Sequence, residues 1–330
     1  MDPFTQGALG LALPQAVASP DQLRSAALVG FLSGLAPDLD ILIQSPKDPL
    51  LFLEYHRQFS HALLFIPIGA LICALLLFPI IKNLSFKQIY FFCFLGYSTH
   101  GLLDACTSYG TQLFWLISDM RFAWYGISIV DPLLTLPMVG LIITAAIRRN
   151  PVYARFALLW IIAYLMLSMV QQDRAERAGA ELAAIRGQKP VELEAKPSFG
   201  NLLVWKVIYR AGDRYYVDAV RAGIDITILP GQSAEKLNIN RHFPNVKLGT
   251  QQADDIERFR KFSSGYLARD PHHPARIIDV RYSMVPNEID ALWSIEIENL
   301  ASPDDHVTFV TNRADARNKL TKLIAIIFGK

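Results

Sequence analysis

Three histidines and three aspartates stand in or beside apolar segments of the first 170 residues, where charged side chains are scarce. His100 and Asp104 are four positions apart, so a helix places the imidazole and the carboxylate on one face. An ionisable pair inside an apolar helix is costly unless it is compensated, and a neutral imidazole with an ionised carboxylate suits Zn²⁺ and similar ions. The spacing alone is more typical of a structural His–Asp hydrogen bond. The co-location of three histidines and three aspartates in this charge-poor part favours a divalent-metal site instead.

Two more histidines and two more aspartates precede the first strongly apolar segment. His56 and His61 bound the run His56-Arg-Gln-Phe-Ser-His61, and Asp38 and Asp40 follow Pro37. Carboxylates two positions apart after a proline fit a helix-end loop that aims two oxygens at one site, with a simple cap or turn as the alternative. If the apolar segments cross a membrane, all six groups lie toward its outer face, and we expect them to meet there.

Three charged residues near these ligands have candidate roles of their own. Asp40 is a candidate for a carboxylate that orients a ligand, or for a general base. Arg57 is a candidate for neutralising a phosphate or carboxylate near the site, with a solvated side chain as the alternative. Asp131 is a further ligand or a helix cap, and its position before Pro132 favours the cap.

The charge distribution divides the chain into two parts. Residues 1–170 hold 18 of the 62 Asp, Glu, Lys and Arg residues, and residues 171–330 hold 44. Because an average soluble domain has about 25% charged residues, we expect a membrane-embedded first part and a soluble second part. This excludes a single soluble globule, a disordered chain and a disulfide-rich scaffold. The net charge of +2 and the lack of a basic stripe exclude nucleic acid as an expected partner.

The apolar segments predict an α-helical membrane bundle. A span takes about 20 residues, and two stretches near 7–18 and 25–36 are shorter than that, so we expect them to form an interfacial or re-entrant helical pair. Four segments are long enough to cross: 62–81, 89–106, 127–147 and 153–170.

Positively charged loops give an orientation. The loop after the first long segment holds Lys82 and Lys87, and the loop after the third holds Arg148, Arg149 and Arg155. Since positive loops stay in the cytoplasm, we expect a multi-pass membrane protein whose second half lies in the periplasm or outside the cell.

The second half predicts a soluble α+β domain. We expect three regions: a membrane-embedded helical metal-site domain over 1–170, a connecting amphipathic helix over 171–190 and the soluble domain over 191–330. Predicted strands are 202–211, 214–220, 276–284 and 292–298, and predicted helices are 174–186, 254–262 and 313–327. The four histidines of this half are interpreted as solvated surface side chains: His242, His272, His273 and His306.

Several runs of the first 140 residues resemble a known family. They are Met1-Asp-Pro-Phe-Thr-Gln6, Pro37-Asp-Leu-Asp40, His56-Arg-Gln-Phe-Ser-His61, Thr99-His-Gly-Leu-Leu-Asp-Ala-Cys-Thr-Ser-Tyr-Gly110, Thr111-Gln-Leu-Phe-Trp115 and Val130-Asp-Pro132. Their order and spacing are similar to those of the YdjM-type family of inner-membrane, metal-dependent hydrolases.

The resemblance implies a location in the bacterial inner membrane and a set of site residues. Metal-ligand or catalytic roles are implied for Asp38, His56, His61, His100 and Asp104. The chain departs from the family at two positions. Gln6 stands where many members have His, which leaves fewer imidazoles or an amide at the site, and Gln58 replaces a usual Gly.

These observations favour a membrane-bound hydrolase that uses a divalent metal, with Zn²⁺ as the expected ion. A site near the outer membrane face suggests an amphiphilic substrate such as a lipid phosphoester, with membrane lipid as the surroundings. One alternative is a non-enzymatic protein in which a structural metal or ion-pair site holds the bundle and the soluble domain binds a partner. A transporter with a His/Asp proton relay is a weaker alternative, because the spans are few and no inverted repeat is visible.

Overall fold

The computed structural model of the protein describes residues 1–329 and forms two compact units. Unit 1 consists of Met1–Ile43, Tyr55–Met169 and Phe199–Asn201. Unit 2 consists of Gln44–Glu54, Val170–Ser198 and the chain from Leu202 onward. The metal-ligand candidates all lie in unit 1.

The helices of the chain have the following bounds. They are α1 Pro3–Val17, α2 Leu23–Leu35, α3 Leu51–Tyr55, α4 Ile66–Leu77, α5 Phe86–Ala105, α6 Pro132–Arg148, α7 Val152–Ile185, α8 Ile239–His242, α9 Gln251–Phe262 and α10 Ala316–Ile327. Short 3₁₀ segments cover Ala36–Leu42, Phe59–His61 and Leu63–Phe65.

Candidate membrane spans are fewer than the sequence predicts. Among residues 1–329, the helices Leu23–Leu42 and Val152–Ile185 are long and apolar enough to cross a membrane. The bent pair Leu51–His61 and Leu63–Leu77, with 58° between its halves, makes a third if it counts as one span. The prediction of four long spans is therefore confirmed only in part.

Individual helices explain this difference. The stretch predicted at 25–36 is longer than expected, because the 3₁₀ turn that starts at Ala36 carries Pro37 in its first turn, where proline is tolerated. The predicted span 127–147 is shorter, because Asp131 caps α6 and the helix has 17 residues. The predicted segment 89–106 forms α5, a 20-residue helix whose face carries His100 and other polar groups.

Glycines let α1, α2 and α5 approach closely. A Cβ at Gly10 would lie 2.8 Å from the Gly30 carbonyl oxygen and 2.8 Å from Gly34 Cα, and one at Gly96 would lie 2.6 Å from the same Gly30 oxygen. Such contacts between small residues are typical of helices that pack in membranes. They hold α5 against α2 at the level where His100 faces the Gly34 carbonyl.

Unit 2 contains two antiparallel sheets. The strands are β1 Glu192–Pro197, β2 Val204–Ala211, β3 Arg214–Ala222, β4 Ile226–Leu229, β5 Ser233–Glu235, β6 Leu267–Arg269, β7 Arg276–Asp279, β8 Trp293–Glu296 and β9 Thr308–Thr311. The first sheet has the order β1-β2-β3-β4 with β5 paired to β3, and the second has the order β6-β7-β8-β9.

The predicted strands 202–211 and 214–220 form a hairpin in unit 2. Ala211 pairs with Arg214, which leaves the two-residue loop Gly212-Asp213. Gly212 has φ +58°, a left-handed conformation that tight hairpin turns require and that glycine adopts without strain.

The segment Gln44–Glu54 belongs to unit 2 because α9 holds it. Arg258 places one guanidinium nitrogen 2.8 Å from Asp48 and another 2.6 Å from Glu54. The same guanidinium lies 2.8 Å from Asp255 of its own helix. One arginine thus ties this short segment to the helix that packs in unit 2.

Candidate metal centre

Four of the predicted ligands converge in unit 1. Ligand atoms of Asp38, His61, His100 and Asp104 all lie within 4.8 Å of one another. His61 Nε2 is 3.5 Å from Asp38 Oδ1 and 3.1 Å from Asp104 Oδ2. His100 Nε2 is 3.3 Å and 3.6 Å from the same two oxygens.

The four nitrogen–oxygen distances are compatible with ligands of one metal ion. Bonds of about 2.0–2.1 Å from Zn²⁺ to its ligands give distances of about 3.4 Å between ligand atoms at the corners of a tetrahedron. The four nitrogen–oxygen distances, from 3.1 to 3.6 Å, lie around that value. The cluster therefore has the dimensions of a single N₂O₂ cage.

The other ring nitrogen of each histidine fixes where its proton lies. His100 Nδ1 is 2.6 Å from the Gly34 carbonyl oxygen, which can only accept, so Nδ1 carries the hydrogen. His61 Nδ1 lies 3.1 Å from Asp40 Oδ2 and 3.0 Å from Ser60 Oγ. In the neutral imidazoles, both Nε2 lone pairs then point toward the carboxylates, as in metal-bound histidines whose second nitrogen is held by an oxygen.

Buried polar atoms without hydrogen-bond partners provide the test of fit. His61 Nε2, His100 Nε2 and Asp104 Oδ2 are buried and lie within ion-pair distance of carboxylate or imidazole neighbours, but none of them makes a hydrogen bond of good geometry with a described residue. Leaving a buried polar atom unpaired costs about 1–3 kcal/mol each. Three such atoms aimed at one point are compensated by a cation at that point, so the residues present fit a divalent metal.

Short backbone segments bring these side chains together. Asp38 lies on the 3₁₀ turn after α2, His61 ends another 3₁₀ turn, and His100 lies on α5. The position after His100 is Gly101, and a Cβ there would overlap the His61 carbonyl oxygen. Glycine therefore allows the His61 segment to touch α5 directly.

The second oxygen of Asp104 is held by donors. Gln6 Nε2 donates to Asp104 Oδ1 over 2.9 Å, and Arg57 lies 3.2 Å from the same oxygen. The Met1 nitrogen also contacts it. Since these groups all occupy Oδ1, Oδ2 is left for another partner. Gln6 thus enters the cluster as a donor to a carboxylate.

Arg57 is a buried residue, which excludes the solvated alternative. Its guanidinium donates to Thr107 Oγ1 over 2.9 Å and lies 4.7 Å from the centre of the Tyr109 ring. Arg57 also has φ +62°, a conformation that costs of order 1–3 kcal/mol in a residue other than glycine. The carboxylate that it neutralises within the chain is Asp104.

Asp40 and His56 form an adjoining group with Asp38. Asp40 accepts from Ser60 Oγ over 2.8 Å and from the Arg57 N–H over 3.0 Å, and His56 Nδ1 lies 2.8 Å from its other oxygen. Together with the contact to His61, these bonds leave Asp40 well satisfied, as expected of a carboxylate that orients histidines. His56 does not join the four-atom cage, and its ring is partly exposed.

Other sequence-predicted residues lie away from the cage. Asp131 is the N-cap of α6 and accepts from Tyr164 Oη over 2.8 Å, so the cap interpretation is confirmed. In unit 2, His272 and His273 are exposed as predicted. The prediction is wrong for His242 and His306, because they contact carboxylates.

Three supporting features had no sequence signal. The Gly34 carbonyl is a backbone group, and its contact with His100 depends on helix packing. Ser60 lies inside the motif between the two histidines, but its bond to Asp40 requires the 3₁₀ turn. Gly101 follows His100 directly, and its value as a contact point becomes visible in three dimensions.

Comparisons with known proteins place the part of the chain that holds this cluster in a family. The YdjM inner membrane protein family matches residues 1–175, which include the whole cluster. The chain is also 22% identical over 294 residues to "Uncharacterized protein YfhP" of Bacillus subtilis (strain 168), covering 86% of this chain and 87% of that protein. No solved structure matches the chain. Since the family match spans more than half of the sequence, the chain belongs to the YdjM inner membrane protein family.

Proposed function

We propose that the protein is a membrane-bound, metal-dependent hydrolase whose ion is held by Asp38, His61, His100 and Asp104. The observation that carries the proposal is the convergence on one point of three buried ligand atoms that make no hydrogen bond of good geometry. Two imidazoles and two carboxylates favour Zn²⁺ among the common divalent ions, and a water would bind as a further ligand on the side of Asp38, where the site is open.

A bound ion of this type supplies a water with a pKa near 7 and polarises the bond to be cleaved. The chain's own residues prepare the site for that chemistry. Asp40 fixes the His61 ring through Nδ1, and Gln6 holds the non-ligating oxygen of Asp104. His56, with Nδ1 on Asp40, keeps its Nε2 lone pair as an acceptor for a proton.

Asp38 provides the opening of the site. Its side chain is 27% exposed, whereas those of His61, His100 and Asp104 are fully enclosed. A substrate therefore approaches from the Asp38 side, where the adjoining His56 is also partly exposed. The candidate span Leu23–Leu42 contains Asp38, which supports an amphiphilic ester or phosphoester in a membrane as the substrate.

The placement of the site at the outer face follows from the positive loops and has its own test. Single-cysteine variants at Lys82 and Arg149, made in a chain lacking the native cysteines, should be shielded from membrane-impermeant thiol reagents in intact cells. Labelling of these positions in intact cells would reverse the proposed orientation of the site and of the second half.

Metal content and turnover test the hydrolase itself. Detergent-purified protein should contain about one divalent ion per chain, as a four-ligand site binds one ion. His100→Ala and Asp104→Asn should lose this ion and the hydrolysis of bis(p-nitrophenyl) phosphate or p-nitrophenyl butyrate. His273→Ala and Asp131→Asn are matched controls outside the cage, and both should retain the ion. Unchanged turnover in the cage variants would reject the proposal.

A structural metal site is the second candidate, and the enclosure of three of the four ligands favours it. Closed four-ligand sites are typical of structural zinc, whereas catalytic zinc keeps a position open. Chelation separates the two functions. A structural ion predicts that chelation unfolds unit 1 and that the loaded protein hydrolyses none of the probes. A catalytic ion predicts a folded, inactive protein whose turnover returns with added Zn²⁺.

A further inference from the structure

An apolar cavity of about 560 Å³ lies in unit 1 beside the metal centre. It is bounded by the end of α2, the 3₁₀ turn Ala36–Leu42, α4 and Tyr97 of α5. Its volume falls within the usual range for small-molecule sites, about 300–1,000 Å³. None of the apolar side chains that line the cavity takes part in the proposed hydrolysis.

The polar end of the cavity is shared with the metal centre. Asp40 and Ser60 line the cavity, and the same two side chains contact Nδ1 of His61. Tyr97 also lines it and donates to the Ser60 carbonyl oxygen over 2.8 Å. A molecule in the cavity is therefore separated from His61 by a single side chain, that of Asp40 or Ser60.

The remaining walls are hydrocarbon and open toward the lipid-facing surface. Ile72 and Leu76 of α4 line the cavity while 49% and 67% of their surfaces stay exposed. A Cβ at Gly69 would overlap the Tyr97 ring, so glycine here lets the ring lie against α4 as a floor. The cavity is thus an apolar slot with one polar end.

We propose that this slot holds one hydrocarbon chain of a lipid substrate and places its ester or phosphoester group at the turn Ala36–Leu42, next to Asp38, the partly exposed ligand of the cage. The proposal rests on the proposed hydrolase function. Two candidate spans, one of them the bent pair, supply walls of the slot, so the occupant available in a bilayer is a lipid chain. An acyl chain that moves from the bilayer into the slot exchanges one apolar environment for another. The slot is therefore expected to position the substrate more than to increase its affinity.

Photocrosslinking tests the slot without relying on turnover. The full chain is placed in nanodiscs with a trace of phosphatidylglycerol that carries a diazirine in one acyl chain, and adducts are mapped by mass spectrometry. We expect adducts at slot residues such as Cys73. Ile72→Trp fills part of the slot and should reduce these adducts severalfold, because the indole ring occupies space that the acyl chain would need.

Leu75→Trp is the matched control on the same helix. Leu75 is 59% exposed and does not line the slot, so its replacement adds the same bulk outside. Metal content reports folding for each variant, and Leu76→Trp replaces Ile72→Trp if the latter loses its ion. Adducts spread evenly over the outer surface of α4, or unchanged by both slot variants, would indicate surrounding lipid only and overturn the proposal.

Turnover then separates failure of the slot from failure of the hydrolase. In the loaded protein, Ile72→Trp should lower hydrolysis of a long-chain fluorogenic phospholipid about tenfold relative to a water-soluble probe, because the displaced lipid is no longer positioned for reaction. Equal loss on both probes would overturn the slot and leave the hydrolase standing. Absence of all hydrolysis, with slot adducts intact, would reject the hydrolase and the substrate assignment and leave a lipid-binding slot.

Discussion

Two buried clusters of charged residues, one in each compact unit, differ in how their polar atoms are matched. In unit 2, Arg281 and Asp279 are fully enclosed and joined by several bonds, the closest 2.6 Å long. In unit 1, His61, His100 and Asp104 are equally enclosed, and each keeps one atom without a hydrogen-bond partner among the described residues. The first cluster is complete within the chain, and the second keeps acceptor and donor positions that could hold a metal ion.

The comparison separates two uses of buried charge. A buried pair that satisfies itself contributes to the folded state of its domain, and breaking it leaves an uncompensated charge. A buried set with its free atoms aimed at one point reduces stability until a ligand arrives, and then gives that ligand a prepared site. Substitutions in the two clusters should therefore affect different measurements.

The largest loss of stability is expected when the Arg281–Asp279 pair is broken. Arg281→Met leaves the Asp279 carboxylate buried without its cation, which costs about 3–5 kcal/mol. Hydrogen exchange of the strands of unit 2 in the full chain would measure the loss. The double variant Arg281→Met/Asp279→Leu is the control and should recover most of the protection. Intact exchange protection in the single variant would contradict the comparison.

A buried lysine near this pair gives a smaller, pH-dependent effect. Burial lowers the pKa of Lys206 to about 7, and the negative charges of Asp279, Glu288 and Asp290 oppose this only in part. Its amino group donates to Ser283 Oγ over 2.7 Å. Between pH 7 and the ordinary lysine pKa, the unfolded chain binds this proton and the folded chain does not. Stability should therefore rise with pH, by on the order of 2 kcal/mol from pH 7 to 9.

If Lys206 causes the rise of stability with pH, the variant Lys206→Met should remove it. The variant should show a flat stability between pH 7 and 9, measured by hydrogen exchange of β2 and β3 after correction for the intrinsic exchange rate. The exposed Lys189 provides the matched substitution Lys189→Met, which should keep the slope of the original protein. An unchanged slope in Lys206→Met would assign the pH dependence to another group.

The smallest effect is expected on metal affinity, from a substitution of Asp40, which orients the His61 ring. Asp40→Asn weakens the hold on the His61 ring while leaving all four ligand atoms in place. Loss of such a partner typically lowers metal affinity about 10-fold or more. Competition with a zinc indicator would measure it, with Asp131→Asn as the buried-carboxylate control. Complete loss of metal would instead place Asp40 among the ligands.

The parts of the site that sequence could predict depend on local spacing. His100 and Asp104 are four residues apart on a helix, so their common face follows from helix geometry. His61 and Asp38 were reachable through chain topology, since their segments both precede the same apolar stretch. The buried position of Arg57 was not predictable, because it follows from a left-handed backbone and a contact with Tyr109.

The fold also divides into features that follow from local sequence and features that depend on tertiary contacts. The β2–β3 hairpin has two apolar, strand-like runs and a glycine turn, and both signals are local. β1 escaped prediction because its alternate positions carry Glu192, Glu194 and Lys196, which resemble a solvated segment until they pair with β2. The number of spans was overestimated because hydrophobicity alone does not show where Asp131 caps a helix.

Gly101 bears on ion selectivity in the proposed metal site. Its missing methyl group allows the His61 carbonyl to rest on α5, next to the position of His100. Any larger residue at this position would widen the cage and shift its preference toward cations of greater radius. The size of the ion accepted would then be governed by a residue that contributes no donor atom to it.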